Sequence, residues 1–301
     1  MGSAVGRLLT IGIPTYRRAA KLDRQLAWLD RNIAGHEADC QIVLSDNGSP
    51  DDTEAVCQKW AAAFTARGVP IIVRRNPENI GAVPNIAQCF TLAEGRFVWA
   101  IGDDDDIDAE TFGWLIATLK QDPDLAVVFI NYRTAGKDVH ERCYSFDADR
   151  QGDGKAIFEE CFRQREWGLG FMTAEVFRTE YVQGAMRAWP EGVRNFDYTI
   201  WLIGHAGLQG RVLITADPRA TYVTGDSIYV SNKRAAMSMC ADEIEILVRL
   251  GKAGYDQALM RAVARKKLRH SAKKLARTAM HVNPALTARS MARLASYMAV
   301  L

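Results

Sequence analysis

The 301-residue sequence contains no C-x-x-C pair. Its six cysteines, Cys40, Cys57, Cys89, Cys143, Cys161 and Cys240, are widely scattered. That spacing argues against a zinc knuckle, a dithiol redox motif or a disulfide framework, and a reducing cytosol is the simplest compartment. No run of 18 apolar residues occurs, so no segment is expected to cross a bilayer as a helix. The apolar stretch from Leu8 to Ile13 is short and ends at Pro14, so no secretory leader is expected. Internal repeats and low-complexity linkers are also missing. The first apolar run leads into Pro14-Thr15-Tyr16 rather than a glycine-rich phosphate loop, which argues against an enzyme that makes nucleotide-sugars.

What is present is apolar enough, at 48%, to bury a sizeable core. The net charge of +2 hides an asymmetry. From Arg249 to Leu301 there are 12 Lys and Arg against one acid, Asp256, a segment charge of +11; the rest of the chain carries −9. An acidic body with a basic tail follows.

The first half alternates strand and helix patterns. Leu8 to Ile13, Gln41 to Ser45, Pro70 to Arg74, Arg96 to Ile101 and Leu125 to Ile130 read as strands. Between them, Leu22, Leu26, Leu29 and Ile33 mark one helix face. Val56, Trp60 and Phe64 mark a second behind a cap at Asp51 or Asp52, and Ile86, Cys89, Phe90 and Ala93 a third. A fourth helix is expected near Thr111 to Lys120. This order implies an α/β fold, a doubly wound and mostly parallel sheet. Right-handed crossovers bring every strand's carboxyl end to one edge, where ligands of such sheets bind. Pro14-Thr15-Tyr16, Asp46-Asn47-Gly48-Ser49 and the run Asp103-Asp104-Asp105-Asp106 all arrive there. From Asn131 to Tyr229 the pattern is less regular, and beyond Asn232 it is helical almost throughout, with Asn283-Pro284 as a helix start.

Four adjacent carboxylates repel one another, and a hard divalent cation with oxygen ligands is their natural partner. The alternative is a solvated acidic turn capping the next helix.

These residues also resemble a known family. Ile11-Gly12-Ile13-Pro14-Thr15-Tyr16-Arg17-Arg18, Ser45-Asp46-Asn47-Gly48-Ser49-Pro50-Asp51-Asp52-Thr53, the set Asn76, Asn79, Gly81, Asn85 and Gly95, and Phe97-Val98-Trp99-Ala100-Ile101-Gly102-Asp103-Asp104-Asp105 resemble the family 2 inverting glycosyltransferases of GT-A fold, in particular those of bacterial O-antigen and surface-polysaccharide synthesis. The resemblance covers roughly residues 8–130. It implies a nucleotide-sugar site formed by Pro14, Thr15, Tyr16, Arg17, Asp46, Asn47, Asn79, Asn85, Asp103 and Asp104, with Mn²⁺ or Mg²⁺ on Asp105 and Asp103. The pair Asp46-Asn47 stands where the family usually has two aspartates, so UDP-, TDP- and CDP-linked donors all remain open; a helix-leading turn is the plainer reading of that pair. Phe196-Asp197-Tyr198-Thr199-Ile200-Trp201-Leu202 resembles the segment holding the family's catalytic base, which makes Asp197 the candidate base. A helix N-cap is the alternative there, with Glu191 and Asp226 as fallback bases. Trp167, Gly170, Met172 and Asp226 are candidate acceptor-side residues, with core packing an equal alternative for the first three.

The implied organisation is a glycosyltransferase domain over 1–230, with its nucleotide-sugar half at 1–130 and its acceptor half at 131–230. A basic helical extension over 231–301 follows it. The implied activity is transfer of a sugar from a nucleotide diphosphate to a hydroxyl of a glycan or lipid-linked glycan in the cytoplasm. A polyprenyl-phosphate sugar synthase and a non-catalytic glycan-binding protein are the competing readings. Leu268, Ala272, Leu275 and Ala279 form a stripe ringed by Arg265, Lys266, Lys267, Arg269, Lys273, Lys274 and Arg277. Such a helix suits an anionic membrane surface, as a peripheral contact, or a helical pair packed on the domain. The tail has few aromatics beside an acidic body, so nucleic acid is not an expected partner.

Overall fold

A computed structural model of the chain describes residues 6–137, 139–165, 168–224, 233–278 and 284–298. The central sheet has eight strands: β1 Leu9–Thr15, β2 Cys40–Asp46, β3 Ile71–Arg75, β4 Phe97–Ala100, β6 Leu125–Phe129, β8 Arg150–Asp153, β9 Glu175–Arg178 and β10 Arg211–Ile214. Their spatial order is β3-β2-β1-β4-β9-β6-β10-β8. The first four are parallel, and β10 is parallel to β6. Two strands run against the rest. β9 lies between β4 and β6, and β8 closes the edge beside β10. A smaller sheet, in the order β5-β11-β7, joins Asp106–Ile107, Ala220–Thr224 and Tyr132–Gly136. The fold is the mostly parallel α/β sheet expected of a GT-A enzyme.

Helices cover both faces: α1 Ala19–Asn32, α2 Thr53–Ala66, α3 Ala82–Thr91, α4 Thr111–Gln121, α5 Gly154–Gln164, α6 Thr179–Ala188 and α7 Tyr198–Gly207. Alternation along β4 divides the core. Phe97 and Trp99 join the cluster formed with α1, α2 and α4, whereas Val98 and Ala100 join the cluster under α3, α6 and α7. Strands β2, β4 and β6 are buried along their whole length, as parallel strands covered on both faces must be.

Three further helices follow: α8 Lys233–Ala253, α9 Gln257–Thr278 and α10 Pro284–Met298. They lie against the domain, α8 on α7 and α9 on α5. Ala241, Ile244, Leu247, Leu250, Tyr255, Met260, Ala264 and Leu294 are buried in the same cluster as α7. Gly204 of α7 has no side chain where Leu250 of α8 sits; a Cβ there would be 2.7 Å from it. The basic stripe is therefore not wholly outward. Lys267 turns in to Glu243, and Arg293 to Asp242 and Glu245. Arg261, Arg265, Lys266 and Arg269 of α9 stay exposed.

Leu247 is fully buried in this seam. Leu247→Ala should lower unfolding free energy by about 2–5 kcal/mol, the range for a buried leucine truncation. Equilibrium denaturation checks this; a loss below about 1 kcal/mol would mean that α8 is not part of the cooperative core.

Candidate active site

The carboxyl end of β1 sits between β2 and β4, so Thr15, Asp46 and the loop after β4 converge. The aspartate run begins three residues after the end of β4. Asp103 is 4% exposed and accepts hydrogen bonds from the Thr15 hydroxyl (2.7 Å) and Arg18 Nη1 (2.9 Å). Burial raises its pKa despite both contacts. Asp104 lies 2.8 Å from Arg18 Nη1 and 2.5 Å from Lys21 Nζ. Burial alone would raise its pKa, but the Lys21 and Arg18 contacts outweigh it and hold it below the usual range. Arg18 and Lys21 thus supply the positive charge for the first two carboxylates.

Asp105 is different. Its partners are neutral: the Gly102 N–H at 3.1 Å and the Thr173 hydroxyl. Burial first, then Asp104 and Asp103, push its pKa up to about 6, with the Thr173 hydrogen bond opposing. A Cβ at Gly102 would lie 2.4 Å from Asp105 Oδ2, so any larger residue there would displace that carboxylate. Thr173 also accepts from the Gly102 N–H (3.0 Å), so a residue on the turn before β9 fixes the loop after β4. Asp106 is exposed, in the small sheet.

The nucleotide-side candidates divide into two sets. The Asn47 amide is fully engaged within the protein. It donates to Asn79 Oδ1 (3.0 Å) and Gly81 O (3.1 Å) and accepts from the Ile80 N–H (2.9 Å) and Asn76 Nδ2 (3.2 Å). These are all four positions an amide offers. Asn85 donates to Ser45 O (2.9 Å) and accepts from the Ser45 hydroxyl (2.8 Å) and Asn76 Nδ2 (3.1 Å). Asn79 also accepts from the Gly81 N–H (2.9 Å). Asp46 accepts from the Ser49 N–H and hydroxyl on one oxygen and faces Arg75 Nε at 3.3 Å with the other. Gly48, at φ +71°, keeps this turn close against Asn76 and Glu78. These side chains brace the loops of the edge. Pro14 and Tyr16 are half-buried and Arg17 is exposed. Among the described residues the side chains of Tyr16 and Arg17 have no hydrogen-bond partner. Arg17 is also held at φ +56°, with its N–H bonded to the Ser49 hydroxyl (2.9 Å). A non-glycine residue at positive φ is uncommon, and such backbones concentrate at functional sites.

Asp197 precedes α7, at its N-cap position, but its side chain makes no capping bond. One carboxylate oxygen is enclosed without a hydrogen-bond partner. Burial first, then Glu243 and Asp242, raise its pKa well above the ordinary range, and Lys267 offsets this in part. Gly170 O accepts from the Thr199 hydroxyl at the start of α7 (3.4 Å), and Met172 opens the short turn carrying Thr173. A continuous set of contacts therefore runs from Asp105 through Thr173 and the turn at 168–174 to the α7 N-terminus. Glu191 is exposed and acts electrostatically on Tyr198. Trp167 and Asp226 lie outside the described residues.

The profile of Glycosyl transferase family 2 matches residues 10–194. The chain belongs to glycosyl transferase family 2. Abequosyltransferase RfbV of Salmonella typhimurium is 32% identical over 118 residues, 39% of this chain and 34% of that protein. Validoxylamine A glucosyltransferase of Streptomyces hygroscopicus subsp. jinggangensis is 47% identical over 53 residues, 18% of this chain and 12% of that protein. The matched segments thus span about a third of the first relative and less of the second. Among solved structures, S. aureus TarS 1–349 in complex with UDP superposes with a TM-score of 0.64 at 15% identity, covering 92% of this chain and 75% of that one. Mannosyltransferase PcManGT from Pyrobaculum calidifontis, in complex with GDP-Man and Mn²⁺, superposes with a TM-score of 0.58 at 16% identity, covering 97% and 81%. At that identity the likeness is one of fold, the GT-A fold.

The raised pKa of Asp105 has a stability consequence. A carboxyl raised from 3.8 to about 6 weakens the folded state as pH rises through that window, by about 3 kcal/mol in all. Asp105→Asn cannot ionise. Without metal the variant should melt higher than wild type at neutral pH and lose that advantage below about pH 4. A difference in melting temperature that does not change with pH would contradict the assignment.

Proposed function

We propose that this chain is an inverting glycosyltransferase. It moves a sugar from a nucleotide diphosphate donor to a hydroxyl of a glycan or lipid-linked glycan, as in bacterial surface-polysaccharide synthesis. The observation that carries the reading is Asp105 joined through Thr173 and the 168–174 turn to the helix start bearing Asp197, within a family 2 chain. A donor diphosphate on this edge meets Arg17, Arg18 and Lys21, while Asn47, Asn79 and Asn85 hold the loops that shape the nucleotide pocket rather than reading the base themselves.

The donor set suits a divalent cation. Asp105 is a hard oxygen ligand whose charge is opposed by burial and by neighbouring carboxylates, and its hydrogen-bond partners among the described residues are neutral. Among the described residues no group of three or more His, Cys, Asp or Glu forms a ready-made metal cage. Asp105 would hold the ion together with the donor's own phosphate oxygens. Asp103, expected to share it, is instead engaged by Thr15 and Arg18. Bound Mn²⁺ or Mg²⁺ would offset charge on the departing diphosphate.

Asp197 takes the proton from the acceptor hydroxyl as its oxygen attacks the anomeric carbon on the face opposite the diphosphate. The bond from that carbon to the diphosphate oxygen breaks, and the nucleoside diphosphate leaves. Gly170 and Met172 border the acceptor side. A carboxyl held above its usual pKa is a stronger base, and only its ionised form works. Turnover should therefore fall as pH drops through the Asp197 pKa. Asp197→Asn should slow release of nucleoside diphosphate from a UDP-, TDP-, CDP- or GDP-sugar panel by about 10²- to 10⁴-fold, with donor binding nearly unchanged. Wild-type turnover in that variant would make Asp197 only the helix N-terminus and would require another base.

The exposed Arg261, Arg265, Lys266 and Arg269 support a weak contact of α9 with the anionic cytoplasmic leaflet, where a lipid-linked acceptor would reside. Each such residue contributes about 1 kcal/mol, screened by salt. Full-length protein should sediment with anionic vesicles at low but not high ionic strength. If it stays in the supernatant at both, the membrane contact is wrong.

A further inference from the structure

The segment before α7 is tied to the C-terminal helices rather than to the α/β sheet. Asn195, 3% exposed, donates to Asp242 O of α8 (3.0 Å) and accepts the Asp197 N–H (2.9 Å). The Phe196 N–H donates to Asp242 Oδ2 (3.0 Å). Asp242 is buried, and its other oxygen is held by Arg293 of α10, which also reaches Glu245 Oε2 at 2.5 Å. Glu243, 5% exposed, is the next residue of α8, and Lys267 Nζ of α9 lies 2.5 Å from its Oε2. Three carboxylates from two elements thus sit together: Asp197, Glu243 and Asp242. Among the described residues Lys267 and Arg293 face them, and Arg293 is shared with Glu245.

A largely buried cluster with more carboxylates than cations favours taking up a proton. Where that proton resides depends on which carboxylate the cations favour. Arg293 engages Asp242 and Lys267 engages Glu243, so Asp197 is left with an enclosed oxygen and, among the described residues, no cation in contact. Asp197 is therefore the acid of this group most open to gaining and losing a proton.

We infer that Glu243 with Lys267, and Asp242 with Arg293, are positioning residues for Asp197, so that the C-terminal helices are a working part of the transfer site. Asp242 and Arg293 fix the backbone of residues 195–197. Glu243 and Lys267 set the charge that Asp197 faces. The inference rests on the reading of Asp197 as the base, but its effect on the carboxyl is measurable without any substrate.

The test is carbon-13 NMR of full-length protein labelled at aspartate Cγ, with the Asp197 resonance assigned by its loss in Asp197→Asn. It is followed through pH in the wild type, Glu243→Gln, Lys267→Met and Lys267→Arg. Removing the facing anion should move the Asp197 titration to lower pH by about one unit or more; removing the cation should move it to higher pH by a similar amount. Lys267→Arg keeps the charge and should titrate close to wild type. Circular dichroism identifies any variant that fails to fold. If Glu243→Gln does, the opposed behaviour of Lys267→Met and Lys267→Arg decides. Titrations that coincide with wild type, or a Lys267→Arg curve displaced as far as Lys267→Met, overturn the inference. The base reading fails separately, if Asp197→Asn retains wild-type turnover.

Discussion

Crowding of carboxylates at the end of one buried strand is the constraint around which this edge of the protein is arranged. Strand β4 is buried along its whole length and delivers Asp103 to Asp106 into a confined turn. Like charges at that spacing are tolerable only with positive charge or hydrogen bonds in fixed places. Strand β1 runs beside β4, so Thr15 at its end and Arg18 and Lys21 at the start of α1 meet the first two aspartates. The antiparallel β9 brings Thr173 against the third. Arg18 and Lys21 are taken up by the first two carboxylates, and among the described residues Asp105 meets only neutral partners; on the proposed reading a diphosphate and its cation would meet it there.

The second acidic group follows a related rule with different parts. Asp197 is enclosed between the α/β body and α8, and Asp242 and Glu243 receive the cations of the later helices. In both places burial first, and neighbouring carboxylates second, keep a carboxyl's pKa raised. Perturbed acids of this kind concentrate where protons or metals are handled. The two are bridged by one short turn at residues 168–174.

Much of this was legible in the sequence, for identifiable reasons. The runs at Leu8–Ile13, Gln41–Ser45, Arg96–Ile101 and Leu125–Ile130 fall within a residue or two of β1, β2, β4 and β6, because strands buried on both faces write themselves as continuous apolar stretches. The helix faces of α1 to α3 were legible by period, and α4 was placed near Thr111 to Lys120. Strand β9 was not: it has four residues, starts with the buried Glu175, and exists because β4 and β6 leave a slot between them. The two-residue β5 has no period to detect. Asp105 and Asp197 stood out as candidates through their resemblance to the family's motifs. Thr173, Glu243 and Lys267 did not, since a partner many residues away leaves no local pattern. Asn47 illustrates the opposite difficulty. Its position suggests a base reader, yet the fold surrounds its amide with Asn76, Asn79, Ile80 and Gly81. Which face of an amide is occupied is a tertiary fact.

The most direct measurement is a thermal-shift series with UDP, TDP, CDP and GDP, each with and without Mn²⁺, on wild type and Asp105→Asn. A ligand that binds only the folded state raises the melting temperature with its concentration. The expected result is that at least one nucleoside diphosphate stabilises the wild type much more with Mn²⁺ than without, and that Asp105→Asn loses this added shift while remaining folded. Stabilisation that is the same with and without Mn²⁺, or that survives intact in Asp105→Asn, would contradict a metal-assisted diphosphate site at the end of β4.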